Sequence, residues 1–499
     1  MLYESTRGKY RQVSSAEAIK LGISPDGGLF VPCENVTFDR DTLCRMVGLN
    51  YQERAYLILK EYLDDYSEEE LRECVKLAYS TEHFDTPLIA PVHRLNESLY
   101  VLELWHGPTC AFKDMALQIL PHLLTMAAGK TGEKATIVIL VATSGDTGKA
   151  ALEGFKNVPG TKIIVFYPEQ GVSVMQKLQM VTQEGNNVNV VAVRGNFDDA
   201  QSGVKNIFAD EDFSLDLQKR NYRLSSANSI NWGRLVPQIV YYFSAYLDLA
   251  AANTIAPGDK INLVVPTGNF GNILAAYYAM EMGLPVGRLI CAANTNNVLT
   301  DFIRTGIYDR SRLFVKTISP SMDILISSNL ERLLYHLTGR DHVKVRQWMA
   351  DLTGTGSYRI DEHTNNKIQE IFWSDYADDK ETIEMIRLIY QNYGYIMDTH
   401  TAVGMKVYEK YVAATGDSTI TVVASTASPF KFNESVTLAI LGEEAVRGKD
   451  ELSLLQVLSK TSGSDIPAGL KDLYRKPVLH KNITAKDEMA EVVKKILLG

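Results

Sequence analysis

The sequence predicts an α/β protein built on parallel sheets with helices on both faces, and three observations carry that prediction. Apolar runs of strand length recur along the chain, each is followed by a stretch with helical spacing, and the runs are apolar throughout instead of alternating with polar residues. Continuous apolar strands are buried on both sides, which right-handed crossover helices on a parallel sheet provide.

The chain of 499 residues opens differently. After the turn chemistry of SPDGGLFVP at 24 to 32 come two charged amphipathic segments, LNYQERAYLILKEYL and SEEELRECVKLAYS, so residues 1–85 are expected to form a helical N-terminal domain. The alternation then begins with SLYVLELW and KATIVILVAT before GKAALEGFKNV. It continues through TKIIVFYP, NVNVVAVRG before FDDAQSGVKNIF, KINLVVP before GNILAAYYAMEMG, RLICAAN and STITVVAS. These segments define an α/β core over 86–435, with a charged helical insertion at about 300–400 that contains SSNLERLLYHL and DDKETIEMIRLIYQNYG. Residues 436–499 are expected to be a helical tail packed on the core.

Composition narrows the function. Apolar residues make up 45% and charged residues 22%, the net charge is -9, and no basic run is interleaved with aromatics, which argues against a nucleic-acid partner and for a small molecule. Five scattered cysteines without a CxxC pair give neither a disulfide framework nor a zinc or other metal site, and suit a reducing, cytoplasmic compartment. The polar N-terminus lacks the apolar region of a signal peptide, and no stretch approaches the roughly 18 apolar residues of a membrane span.

Open α/β sheets bind ligands beyond the carboxyl ends of their strands, so the loops there are where chemistry is expected. In HGPTCAFKDMALQ, residues 106 to 118, Lys113 sits where a turn gives way to an apolar helix marked by Phe112, Met115, Ala116, Ile119, Leu120, Leu123 and Leu124. The helix dipole and an apolar setting both push a lysine's pKa down, which makes it a nucleophilic amine; the alternative is a cation that snorkels to solvent beside Asp114.

The loop VATSGDTGKAA places Ser144, Gly145, Asp146, Thr147 and Gly148 at the start of a helix, a setting for a carboxylate or phosphate, or simply a capped helix. It is not a phosphate-binding P-loop, because Thr143 and Ala150 stand where that motif needs Gly and Ser or Thr. A second loop, VVPTGNFGNILAA, offers Thr267, Gly268, Asn269, Phe270, Gly271 and Asn272 as a cradle for a phosphate ester, with spacing unlike a dinucleotide fingerprint. Two anion cradles and a lysine of depressed pKa suggest pyridoxal 5'-phosphate acting on an amino acid.

HGPTCAFKDMALQ, ATSGDTGKAA and PTGNFGNILAA, in that order, resemble the threonine synthase family, and YESTRG, PDGGLFVP, RGNFDDAQ, NSINWGRLVPQIVYY, SPSMDILISSNLERLLY and DTHTAVG extend the resemblance along nearly the whole chain. The resemblance implies a two-lobed fold type II core that binds pyridoxal phosphate and converts O-phospho-L-homoserine and water to L-threonine and phosphate, as a monomer or homodimer. Lys113 resembles the lysine that carries the cofactor. Gly268, Asn269, Phe270, Gly271 and Asn272 resemble the loop for its phosphate, and Thr426 resembles the hydroxyl residue beside its ring nitrogen.

The SGDTG loop, with Ser144, Gly145, Asp146 and Thr147, would take the substrate carboxylate. Lys149, Asn228, Ser229, Asn231 and Arg234 are candidates for the substrate phosphate. Ser428 departs from the histidine that many members carry, and His106 either touches the site or is a hydrogen-bonded core histidine. A phospho-lyase that eliminates without adding water, and a binding protein that keeps the fold, are the competing readings.

Overall fold

The computed structural model describes residues 1–143, 145–169 and 172–498. Two sheets organise the core. The first has six strands in the order Phe372–Tyr376, Val286–Ala293, Ile261–Pro266, Thr421–Ser425, Leu99–Glu103 and Val92–Arg94, parallel except for the last. The second has five parallel strands in the order Asn482–Ala485, Val188–Arg194, Thr161–Pro168, Thr136–Ala142 and Tyr222–Ser225. Each of the seven apolar runs read from the sequence forms one of these strands, and the innermost, INLVVP, is buried at all six positions. A strand with neighbours on both edges and helices on both faces has no polar side, which is why its sequence does not alternate.

Three neighbouring strands of the first sheet, Ile261–Pro266, Thr421–Ser425 and Leu99–Glu103, run parallel, so their carboxyl ends lie side by side. The cradle at 267–272, the stretch from Thr426 and the turn that leads to Lys113 each follow one of these strands. Strand Thr136–Ala142 of the second sheet supplies the SGDTG turn. Strand order alone therefore brings together residues that the sequence spreads over more than 300 positions.

Helices complete the layers. Pro237–Ala251 is buried on nearly its whole circumference and packs between Gly271–Glu281 and the N-terminal helix Tyr51–Tyr62, as a helix apolar all round must. The N-terminal unit holds the expected helices, each opened by a capping side chain, and adds a small antiparallel sheet of Leu2–Ser5, Val13–Ser14 and Phe30–Pro32. The tail is helical with one strand, Asn482–Ala485, added at an edge of the second sheet.

The apolar stretch after Lys113 is two helices instead of one. Asp114–Leu117 is a single turn, and Leu120–Lys130 restarts with Pro121 in its first turn, where a missing N–H is tolerated. No helix among the described residues is long and apolar enough to cross a membrane.

Candidate active site

Lys113 lies at the N-terminus of that short turn, in helical conformation, with its side chain almost wholly buried. The turn before it is tied down twice. Phe112 N–H donates to the Thr426 carbonyl at 2.8 Å, beside a bridge between Ala111 and Ala427, and Asp114 accepts from both the N–H and the hydroxyl of Thr109, at 2.8 and 2.7 Å. Burial raises the Asp114 carboxyl to about 6, against the Thr109 hydrogen bonds that favour its charged form.

The ammonium of Lys113 sits 3.6 Å from Asp146 Oδ2 and 3.4 Å from Ser321 Oγ. Burial pushes its pKa down to about 8; the Asp146 carboxylate resists, and the charges of Lys431 and Arg234 add to the depression. The amine expected from sequence is thus realised by desolvation and neighbouring cations, and a snorkelling side chain is not what the structure holds.

Asp146 opens the helix Asp146–Phe155 and is itself buried. Lys431 Nζ lies 2.7 Å from its Oδ1, Gln176 Nε2 donates to the same oxygen at 3.0 Å, and the Ser321 hydroxyl donates to Oδ2 at 3.2 Å. Burial alone would raise this carboxyl, yet Lys431 and Lys113 outweigh it and hold the group well below the usual carboxylate range. The turn is tight because Gly145 has φ +146°, where an added Cβ would also strike the Gln176 side chain. Thr143 Oγ1 accepts the N–H groups of Gly145 and Gly148, both at 2.9 Å, which leaves those of Asp146 and Thr147 without a partner among the described residues. Ser144 lies outside the described residues.

The 268–272 cradle faces this cluster. Gly268 approaches so closely that a Cβ would lie 2.5 Å from the Ser321 carbonyl oxygen, and Phe270 takes the left-handed conformation at φ +63° that swings the chain into helix Gly271–Glu281. A bulky residue in that region is strained by about 1 kcal/mol, the kind of cost found where a loop is shaped for a ligand. Asn329 fixes the loop from outside, its N–H and Nδ2 both donating to the Asn269 carbonyl at 3.1 Å. The N–H groups of Gly271, Asn272 and Ile273 have no partner among the described residues, and Asn272 Nδ2 is buried without one.

The phosphate candidates divide. Arg234 is buried, donates from Nη1 to the Ala227 carbonyl at 2.9 Å, and leaves Nε unpartnered; burial lowers its pKa to about 10, so it stays a cation. Asn228 Oδ1 is buried and unpartnered, and the Ser229 hydroxyl accepts from Asn329 Nδ2 at 3.0 Å. Asn231 is committed elsewhere: Nδ2 donates to the carbonyls of Ile19 and Ser226, and Oδ1 caps the turn at Gly233. Lys149 is committed to Glu153 at 2.7 Å and to Gln183. The i,i+4 spacing of Lys149 and Glu153 is a helical ion-pair signal visible in the sequence.

Other residues here lacked such a signal. Lys431, Ser321 and Gln176 reach Asp146 from segments far apart in the chain, and only the fold joins them. Ser321 N–H donates to His400 Nε2 at 3.1 Å, which places the His400 proton on Nδ1, 2.8 Å from Asp398. His106 proves a clamp: its ring nitrogens meet Asp85 and Glu103 at 2.5 and 2.9 Å, and its face stacks on Trp105.

Three buried cations, Lys113, Lys431 and Arg234, thus face two buried carboxylates, and the unpartnered atoms are mostly donors. Such a site is built for anions. Pyridoxal phosphate fits it, with its phosphate against the Gly268–Asn272 donors and an aldehyde for the Lys113 amine.

Similarity to known proteins accords with this chemistry. Residues 2–79 match the model "Threonine synthase N terminus", 79–426 match "Pyridoxal-phosphate dependent enzyme", and 401–496 match "Threonine synthase, C-terminal". Threonine synthase of Pseudomonas aeruginosa is 38% identical over 444 residues, 89% of this chain and 91% of that one. Human threonine synthase-like 1 is 41% identical over 435 residues, 85% of this chain, which spans 58% of that longer relative. The crystal structure of PLP-bound threonine synthase from Brucella melitensis superposes with a TM-score of 0.87 at 35% identity, covering 100% of both chains. With the family models tiling the chain from its first strand to its last helix, and the lysine, the cradle and the cation-rich pocket in place between them, this chain belongs to the threonine synthase family of pyridoxal-phosphate dependent enzymes.

Proposed function

We propose that the chain converts O-phospho-L-homoserine and water to L-threonine and phosphate. The observation that carries this reading is the buried Lys113 amine, held near a pKa of 8 beside a donor-lined cradle, with the buried Arg234 guanidinium keeping an unpartnered Nε nearby. One anion site suits a cofactor phosphate; a further one suits a substrate that brings its own.

When bound, pyridoxal phosphate supplies an electron sink for the charge left at the substrate α carbon. The chain's residues then do the rest. Lys113 Nζ serves as the base that takes the α proton and returns protons later, a task matched to an amine that titrates near working pH. The N–H groups of Asp146 and Thr147 bind the substrate carboxylate in this reading, which their lack of a partner among the described residues supports. Asp146 cannot donate from its side chain; its charge is matched by Lys431 and Lys113, so it anchors both amines without repelling that carboxylate. Arg234, Asn228 and Ser229 are the candidates that remain for the substrate phosphate, and Thr426 stands beside the Lys113 turn, where a hydroxyl leaves the ring nitrogen without a strong proton partner.

Five free cysteines, three of them buried, accord with a reducing, cytoplasmic setting for this reaction. The test is direct. The purified protein should show an absorbance band at the edge of the visible that borohydride abolishes and that Lys113→Ala lacks, and it should release phosphate from O-phospho-L-homoserine with threonine as co-product. Phosphate release with 2-oxobutyrate in place of threonine would instead identify the elimination-only phospho-lyase, and absence of the band after pyridoxal phosphate is added would overturn both.

A further inference from the structure

The cradle is held from behind by two tyrosines. Asn272, in the first turn of Gly271–Glu281, accepts at Oδ1 from the Tyr241 hydroxyl at 2.5 Å and from the Tyr242 hydroxyl at 2.6 Å, while its Nδ2 has no partner. Both tyrosines lie on the buried helix Pro237–Ala251 and are themselves buried, and burial keeps their phenols protonated far above neutrality. They are O–H donors at every working pH.

This arrangement fixes which way the carboxamide points. An amide has one acceptor oxygen and one two-proton donor. With the oxygen taken twice from the helix side, the NH2 group must face away from the tyrosines. Turning the amide over would set its NH2 against the two hydroxyls and strip Tyr242 of its acceptor, and a buried hydroxyl without an acceptor is costly. Tyr241 is braced further along the same helix: Gln238 Oε1 lies 3.2 Å from its hydroxyl, and Gln238 Nε2 donates to the Arg234 carbonyl at 2.8 Å. The chain of contacts therefore joins the cradle to the backbone of Arg234.

What the amide faces is short of acceptors. Nδ2 is buried and unpartnered, and the N–H groups of Gly271, Asn272 and Ile273 in the same turn also lack partners among the described residues. Buried donors are normally satisfied, so this group of them points to an acceptor that arrives with several oxygens. We propose that Tyr241 and Tyr242 are positioning residues for the cofactor phosphate, locking the Asn272 carboxamide so that Nδ2 donates to it. The inference rests on the reading of 268–272 as the phosphate loop.

The test uses cofactor-free protein and two probes, pyridoxal 5'-phosphate and pyridoxal, which lacks the phosphate. Apparent dissociation constants are read from the visible absorbance of wild type, Tyr241→Phe, Tyr242→Phe, the double Phe variant, Asn272→Ala and the triple combination. A freed amide loses one hydrogen bond to a charged oxygen, so the double Phe variant should bind pyridoxal 5'-phosphate about 10- to 100-fold more weakly. Affinity for pyridoxal should stay within about twofold, because nothing that touches the ring has changed.

Asn272→Ala should lose as much as the double Phe variant, and combining them should lose little more, since the tyrosines act only through the amide. Equal losses for the two probes would make the tyrosines merely structural and overturn the proposal, as would losses that add to those of Asn272→Ala. Undiminished affinity in the double Phe variant, with Asn272→Ala weakened, would also overturn it while leaving the phosphate loop intact. Undiminished affinity in Asn272→Ala would overturn the loop reading itself.

Discussion

Lys431 offers a sharp test of how the site tunes its amine. Lys431 and Lys113 sit on the two oxygens of one carboxylate, 2.7 and 3.6 Å from Asp146. That geometry sets the ammonium groups roughly 6 to 8 Å apart, where two unit charges at an effective dielectric of about 20 repel by about 2 kcal/mol. Lys431→Met removes that repulsion and leaves Asp146 to Lys113 alone. Both changes favour the charged amine, so its midpoint should rise from about 8 by about one to two pH units, while burial, the largest influence, still keeps it below an ordinary lysine. The assay is the rate at which cofactor-free protein captures pyridoxal phosphate, followed by absorbance as a function of pH. At neutral pH the variant should be about 10-fold slower or more, since only the neutral amine reacts. Lys431→Arg keeps the charge and should keep the midpoint near 8. A Lys431→Met profile that coincides with wild type, or moves to lower pH, would refute the electrostatic account of Lys113.

Three further outcomes follow from the geometry. The imidazole of His106 would be pushed down by burial, but Asp85 and Glu103 raise it to about 9. Its clamp therefore contributes stability that is complete below about pH 6.5 and fades as pH rises through about 9. With Asp85 more than half exposed, the contribution is discounted to about 2 kcal/mol, so the thermal midpoints of wild type and His106→Gln should differ most near pH 6 and converge near pH 10. Asn231→Ala removes three buried hydrogen bonds and should cost about 2 to 4 kcal/mol in thermal stability of the cofactor-free protein; an unchanged midpoint with a raised KM for O-phospho-L-homoserine would instead restore it as a phosphate ligand. Lys149→Met should leave that KM within about threefold, whereas Arg234→Gln should raise it about 10-fold or more, because only Arg234 keeps a buried charged donor free.

The strands were legible because burial on two faces writes an uninterrupted apolar run, and the cradle and Lys113 because each follows such a run directly. Tyr222–Ser225 and Asn482–Ala485 were not, for a physical reason: both are edge strands, only partly buried along most of their length, and owe their pairing to the neighbour they lie against. The N-terminal strands, of two to four residues, are too short to write a period. Within the site, the candidate residues for ligand binding could be read from their own loops, whereas Lys431, Ser321, Gln176 and His400 reach the site from other elements and carry no local pattern. Asn231 shows the converse. Its amide looks suited to phosphate in the NSINWGR stretch, yet the same donors are used to tie the N-terminal unit at Ile19 to the core.

Burying three cations against two carboxylates is unfavourable in itself, because each charge loses several kcal/mol of hydration that its partners must replace. The fold answers with Asp146, which pairs with two lysines at once, and with Asp114, which is held beside Thr109 close enough to stabilise both Arg234 and Lys431. It leaves at least one positive charge and several donors unmatched. An anionic cofactor and the proposed substrate, which carries a phosphate and a carboxylate, would supply what is missing, so that ligand binding would relieve a cost already built into the folded chain. The same imbalance depresses Lys113, because every uncompensated cation nearby makes its own charge harder to keep. Anion binding and amine activation are thus consequences of one charge pattern, and a substitution that neutralises Arg234 or Lys431 should impair both.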